Sequence, residues 1–408
     1  MLRLATLFGA LTLLLTLSDL AHAADFAEAA RRALLGGQYA KAIRLAADVG
    51  KRGVAERVAV APVGAEALIR SGRRIAAIRL LENVSGEPAA HHARLLLGET
   101  LIGLGKRREG EVHLLRIIEA YNADAITDRD AQGLAIVGRA AYLLRAYRDA
   151  NDAFDMAERA GADKDVQALL WRAELFLDKY DPGNAAKVVA LASELAPRDP
   201  RVQVKRAEVK LVSTMNFAAA EKDVADALAV DDKRAEAFFV RVGLALRTMS
   251  LDRAEAAAKQ GLRVDPGNLK LLSGLAATRF LAEDEPGFSA IEKRVLEINP
   301  SYSRFYTIVA EFAEWEHRYD DIVKLTRKAV AVDSRDAKAY AALGLNLIRK
   351  GEEPAGLEEL RKAWRRDRYN VRVFNTLELY DGPIARDYVT VDGARFRIRY
   401  HKGDKPIL

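Results

Sequence analysis

The 408-residue chain has no cysteine. That absence removes disulfide cross-links, thiolate metal sites, a thiol nucleophile and the cysteine a lipoprotein signal requires. Aromatic residues are scarce, at 7%, which argues against a sandwich or a barrel. No H-E-x-x-H, G-x-S-x-G or G-x-x-x-x-G-K-[ST] occurs, so zinc hydrolase, serine hydrolase and phosphate-loop chemistry have no anchor. Beyond about Leu17 no run approaches the ~20 apolar residues of a membrane-spanning helix. What is abundant is Ala, Leu, Arg and Glu, with 30% charged residues, the composition of packed helices. A formal charge of +6 is modest at this length and points to acidic partners or head groups at most, with no nucleic acid.

The one long apolar run stands at the start. "MLRLATLFGALTLLLTLSDLAHAA" places Arg3, an apolar stretch from Leu4 to about Leu17, and the triplet Ala21-His22-Ala23 in the order of a secretory signal peptide. The expected organisation is a signal over 1–23, a repeat domain over 24–382 and a tail over 383–408. Such a chain is exported, periplasmic or secreted, and soluble after cleavage, with no integral membrane span.

Length alone suggests two or three globular domains, but the chain repeats itself. The residues that follow each second helix are Pro197, Asp232, Pro266, Pro300, Ser334 and Arg368, spaced by 35 and then 34 residues. Twelve positions earlier stand Ala185, Ala220, Ala254, Phe288, Ile322 and Gly356; five earlier, Ala192, Ala227, Gly261, Val295, Ala329 and Ala363. Small side chains at fixed places let two helices approach closely. In "LAIVGRAAYLLRAYRDANDAFDMAERA" the first helix carries Val137, Gly138 and Ala141, and the second carries Ala150, Phe154 and Ala157 at helical spacing.

This pattern resembles the tetratricopeptide repeat, as does "AYAALGLNLIRKGEEPAGLEELRKA" with Tyr340, Leu343, Gly344, Leu360 and Ala363. The resemblance implies an all-α superhelical solenoid of about ten helix-turn-helix repeats, with key positions at Phe26, Val60, Arg94, Leu134, Leu169, Gln203, Phe238, Leu272, Tyr306 and Tyr340. A further first helix follows at Phe374. One interval, Arg94 to Leu134, is lengthened by a loop, with Asp130 capping the next helix. Arg94 and Gln203 depart from the large apolar residue usual there, and Glu292 and Thr326 from the apolar second-helix pattern.

By the same resemblance the first helices line a concave partner-binding surface: Arg139, Tyr142, Glu174, Arg201, Glu208, Phe280, Arg304, Glu311, Glu314 and Lys338. Ala341, Thr307 and Ser273 stand at the first position of the family's carboxylate clamp, which speaks against chaperone-tail recognition. The basic run from Arg361 to Arg372 reads first as a solvated helix end; Arg361, Lys362, Arg365 and Arg366 make it a candidate for an anionic partner.

Catalytic groups are few. His91 and His92 precede a helix with no metal-binding partner three or four residues away on their face. Glu314, Glu316 and His317 read as a solvated helix end, and His401 stands alone. "RSGRR" and "GKRREG" are turns. No catalytic residue, metal or cofactor is expected, and the chain is read as no enzyme.

The tail is different. "DYVTVDGARFRIRYH" alternates around Asp392-Gly393, which predicts a β-hairpin with a two-residue turn pairing Val391 with Ala394 and Val389 with Phe396. The last forty residues, with "FNTLELYD" and "FRIRYHKG", resemble the junction before a peptidase MA-like, gluzincin-type zinc metallopeptidase domain. The functional expectation is an exported scaffold binding a protein or peptide. The alternatives are the recruiting half of such a metallopeptidase, with catalysis beyond residue 408, or a scaffold of an envelope or polysaccharide-export assembly. The hairpin is then either a cap on the stack or the start of a further domain.

Overall fold

Residues 26–49 and 53–407 are described by a computed structural model; the signal peptide expected over residues 1–23 lies outside them. The described chain is all-α apart from one terminal β-hairpin. Ten helical hairpins follow one another: 26–35 with Tyr39–Val49, Val54–Arg70 with Arg74–Ser85, His91–Gly103 with Arg107–Asn122, Ala131–Leu143 with Tyr147–Arg159, and Val166–Asp178 with Pro182–Leu195. The sixth to tenth are Pro200–Ser213 with Phe217–Val230, Ala235–Arg247 with Leu251–Val264, Leu269–Leu281 with Glu285–Ile298, Arg304–Ala313 with Tyr319–Val332, and Ala337–Arg349 with Glu353–Arg366. A lone helix, Val371–Leu379, ends the series.

Short polar residues start many of these helices. Asp130, Asn216, Asn268, Asp284 and Asn370 each accept a hydrogen bond from the backbone N–H three residues on, satisfying donors that a helix start leaves unpaired. Each hairpin then closes over small residues. Ala192, Ala227, Val295, Ala329 and Ala363 are buried, and a Cβ on Gly138 would stand 3.1 Å from the Phe154 ring. Core packing runs between sequence neighbours: Val204, Ala207 and Leu211 meet Val224 and Ala227 of their own hairpin and Ala237, Val240 and Leu244 of the next. Burying each Val or Leu is worth roughly 1.5–3 kcal/mol.

The irregular positions have local causes. Arg94 is charged yet buried at its key position, because its guanidinium donates to the carbonyls of Ser85, Glu87 and Pro88. Gln203 similarly donates to the Pro197 carbonyl, and the buried Thr326 hydroxyl to that of Ile322.

The chain forms two compact units. The first runs to Phe176 and resumes over Pro182–Tyr302; the second comprises Leu177–Asp181 and the chain from Ser303 onward.

In the second unit the helix Val371–Leu379 passes through a wide π turn at Tyr380–Ile384 into strands β1 (Tyr388–Asp392) and β2 (Arg397–His401). The hairpin is there, but its register differs from the expected one. Val391 pairs with Ile398 and Val389 with Tyr400, so the loop is Gly393–Phe396, closed by the Gly393 N–H donating to the Phe396 carbonyl at 2.8 Å. The longer loop brings Asp392 opposite Arg397, a 2.6 Å ion pair that the two-residue turn forgoes. Pairing parity is unchanged, so Val389, Val391, Ile398 and Tyr400 share one face. A cap burying that face on the preceding helix is not what forms: Val391 and Ile398 are 47% and 49% exposed. The opposite face anchors the hairpin, through Arg399 donating twice to the Glu353 carboxylate.

Candidate functional site

The turn inside every hairpin contains one residue in the left-handed region. In six hairpins it is not glycine: Arg145, Tyr180, Met215, Met249, Glu283 and His317 all take it. At 37, 72, 105 and 351 it is glycine, the first three with φ of 68°, 74° and 78°. Conformation alone therefore does not demand glycine; close approach does. A Cβ on Gly37 would lie 2.7 Å from Asp231 Oδ1, one on Gly72 3.1 Å from Asp265 Oδ1, and one on Gly105 3.0 Å from Asn299 Oδ1.

Asp231, Asp265 and Asn299 each follow a second helix five hairpins further along, and each is buried, at 0%, 2% and 4% exposed. Asp231 accepts from the Tyr39 hydroxyl at 2.8 Å. Asp265 takes both terminal nitrogens of Arg74. Asn299 donates to the carbonyls of Ile102 and Gly103. The first unit thus winds back on itself, and a polar seam joins hairpins 6, 7 and 8 to hairpins 1, 2 and 3. Within the second unit Asp367, 2% exposed, repeats the motif on the turn of hairpin 5, where Lys179 Nζ donates to it at 2.6 Å.

Inside this winding, charged first-helix side chains of the first unit face one another. Arg139 lies between Glu99 at 2.5 Å and Glu174 at 3.2 Å, its guanidinium 5.1 Å from the centre of the Tyr142 ring. Lys205 pairs with Glu208 at 2.5 Å. Arg201 donates to Asp199 and, at 2.8 Å, to Gln167. Phe280 packs on Phe288 of its own hairpin, ring centres 5.8 Å apart.

Sequence reasoning missed the other half of this lining: Glu66, Arg70, His92, Arg234 and Glu236. Burial alone would raise the Glu66 carboxyl, but Arg70, Arg201, His92 and Arg234 hold it below the usual range. The Glu236 carboxyl is likewise lowered from 4.5 to about 2, burial being outweighed by Arg234 and Arg70. Arg139 and Arg234, 6% and 4% exposed, are held by surrounding carboxylates, Arg139 by Glu99 and Glu174 and Arg234 by Asp231 and Glu236.

These shifts fix a pH dependence. Carboxyls lowered on folding contribute stability above their unfolded value, 4.5, and lose it as pH falls toward 2. The melting temperature is expected to drop steeply over that window, and Glu66→Gln combined with Glu236→Gln to flatten the drop. An unchanged acid slope in the double variant would show that the inner carboxylates carry none of it.

In the second unit Lys338 pairs with Asp178, and Lys338 and Lys179 hold that carboxyl well below the usual range against the opposing effect of burial. Glu314 pairs with Arg349 at 2.7 Å and accepts from Asn346 at 3.1 Å. Arg304 and Glu311 are exposed on the helix Arg304–Ala313. The basic run is largely neutralised in place: Arg361 pairs with Asp381, Lys362 with Glu358 and Glu359, and Arg366 sits over the Tyr340 ring at 4.3 Å.

His92 meets Trp171 edge-on at 6.3 Å, and His91 lies 3.4 Å from an Arg94 nitrogen; burial lowers both imidazoles. Among the described residues no group of three or more His, Asp or Glu side chains could hold a metal, and no helix is long and apolar enough to cross a membrane.

No family model matches the chain, and no curated protein does. Solved structures do. A tetratricopeptide repeat protein from Parabacteroides merdae is 15% identical, covering 63% of this chain and 98% of its own, with a TM-score of 0.42. Yeast Tom70 is 13% identical over 90% of this chain and 97% of its own, TM-score 0.40. Human IFIT1, as a dimer with m7Gppp-AAAA, is 12% identical over 82% of this chain and 87% of its own, TM-score 0.46.

Proposed function

We propose that the chain is an exported scaffold that binds a protein or peptide along the surface formed by its first helices, with no chemistry of its own. One observation carries this reading: the first helices of neighbouring hairpins hold the carboxylates of Glu99 and Glu174, each about a third exposed, on either side of the buried Arg139 guanidinium. Those carboxylates would accept the N–H groups or basic side chains of an extended polypeptide. Arg201, Glu208, Tyr142 and Phe280 in the first unit, and Arg304, Glu311, Glu314 and Lys338 in the second, are the further proposed partner contacts.

A photo-crosslinking residue at Tyr142 is expected to capture a partner in the producing cell, and Arg139→Met to weaken that capture at least about tenfold. The same residue at Arg148, whose side chain is 78% exposed on a second helix, should capture nothing. Capture at Arg148 alone would put the binding surface elsewhere. Export is tested by the mature N-terminus, expected at Ala24; a product retaining Met1 and held in the membrane overturns it.

A second reading, the recruiting half of a zinc metallopeptidase, is favoured by a break in the repeat. Four positions beyond each key residue stand Gly64, Gly98, Gly138, Gly344 or another small or β-branched residue, but beyond Phe374 stands Glu378. No second helix can approach a helix closely at a glutamate, so the repeat ends there and the segment that follows is of another kind.

A further inference from the structure

Exposed large apolar side chains gather at the end of the second unit: Phe374, Leu379, Val391, Ile398 and, most of all, Phe396 at 74%. Three of the five belong to the β-hairpin. A two-stranded sheet is marginal in water, and each of its edges offers unpaired N–H and C=O groups to another strand. Arg399, bound to Glu353 and lying 5.7 Å from the Tyr380 ring, turns the polar face toward hairpin 10. The face carrying Val389, Val391, Ile398 and Tyr400 is turned away from it.

The two edges differ in what they accept. Antiparallel self-pairing of β2 about Ile398 or Arg399 sets an arginine against an arginine, a like-charge contact across a short gap, and pairing about Tyr400 sets Arg399 against His401 with no opposite charge to meet it. Self-pairing of β1 about Thr390 sets Val389 against the second copy's Val391 and Tyr388 against its Asp392. No like charges meet and the valines pair. The two apolar faces also become one strip across four strands. A twofold contact of this kind closes on itself and stops at two copies.

We propose that the β1 edge, Tyr388–Asp392, pairs antiparallel with the same edge of a second copy, making a four-stranded sheet and a twofold dimer. This goes beyond the scaffold reading and does not depend on it. It excludes occupation of the same edge by any other strand of the polypeptide.

The chain's lack of cysteine makes the test clean. In Thr390→Cys the only two thiols of the dimer stand across the twofold, where opposed Cβ atoms are about 4.5–5.5 Å apart, within reach of a disulfide after small adjustment. Mild oxidation should give a covalent dimer from Thr390→Cys and leave Phe396→Cys, exposed at the far end of the hairpin, monomeric. Sedimentation of the cysteine-free protein should show a concentration-dependent dimer, and Val391→Lys should raise its dissociation constant at least about tenfold with helical circular dichroism unchanged. A monomer at roughly 100 μM overturns the proposal, whether or not its β1 amides resist exchange. A dimer that Val391→Lys leaves intact and Thr390→Cys does not cross-link overturns it too, because the contact then lies elsewhere.

Discussion

Asp231→Ala is expected to unwind the first unit at its seam while Asp232→Ala does almost nothing, although the two residues are adjacent. Asp231 is fully buried and accepts both contacts of the Tyr39 hydroxyl, at 2.8 and 3.1 Å. It also neutralises Arg234 at 3.6 Å and faces Arg70 at 4.0 Å. Burial pushes the Tyr39 phenol up, so it stays a donor and would be left without its acceptor. Removing one member of a buried charge cluster strands the others, at a cost of about 3–5 kcal/mol. Asp232 is 78% exposed and pairs with Lys233, a contact worth at most about 1 kcal/mol. The readout is amide exchange: protection should fall over residues 31–42 and 227–240 together, positions far apart in sequence. If Asp231→Ala loosens only the segment around 231, the two ends are not coupled through this residue.

Much of the repeat was legible because it depends on residues close in sequence. The ten hairpins, the lone helix at Phe374, the Asp130 cap and the small-residue columns all follow from contacts within one or two hairpins, which periodicity reports directly. The seam was not legible in the same way, since it joins residues some 190 positions apart. Its signal was nonetheless present. Asp231, Asp265, Asn299, Asp333 and Asp367 recur at intervals of 34, each one residue before the loop position used to find the repeat. Those positions read as ordinary turn formers, and their side chains do bond forward to the backbone, as Asp231 does to the Lys233 N–H. Their second contact depends on the pitch of the winding, which no single repeat encodes.

The inner lining was half legible for a related reason. Arg139 and Glu174 fall on the face that a first helix turns inward, whereas Glu66, Arg70 and Glu236 matter because the winding brings hairpins 2 and 7 together. In the β-hairpin, Asp392-Gly393 favoured a two-residue turn locally. The Asp392–Arg397 pair and the Arg399 anchor on Glu353 selected the longer loop.

Gly356→Val is the second large effect, and it should be confined to the second unit. Hairpin 10 closes where its two helices cross glycine against glycine. A Cβ on Gly356 would lie 2.6 Å from the Gly344 carbonyl oxygen, 2.6 Å from Ile348 Cγ1 and 3.0 Å from the Ile348 nitrogen; one on Gly344 would lie 2.7 Å from the Gly356 oxygen. Two of the three atoms met at Gly356 are backbone, so no rotamer change makes room and the helices must separate. Such overpacking costs about 3 kcal/mol or more, and it strikes the contact that buries Leu360 and Ala363 against Tyr340 and Ala341. Gly351→Ala, in the turn of the same hairpin, is the control. Nothing stands within 4 Å of a Cβ there, and only its φ of 92° is strained, a cost of about 1 kcal/mol. Because each hairpin packs chiefly on its sequence neighbours, Gly356→Val should abolish amide protection from about residue 337 to 379. The helices of hairpins 1 to 4 should exchange at their original rates. Equal loss of protection in both units would show that the chain unfolds as one cooperative body, and the nearest-neighbour account would fail.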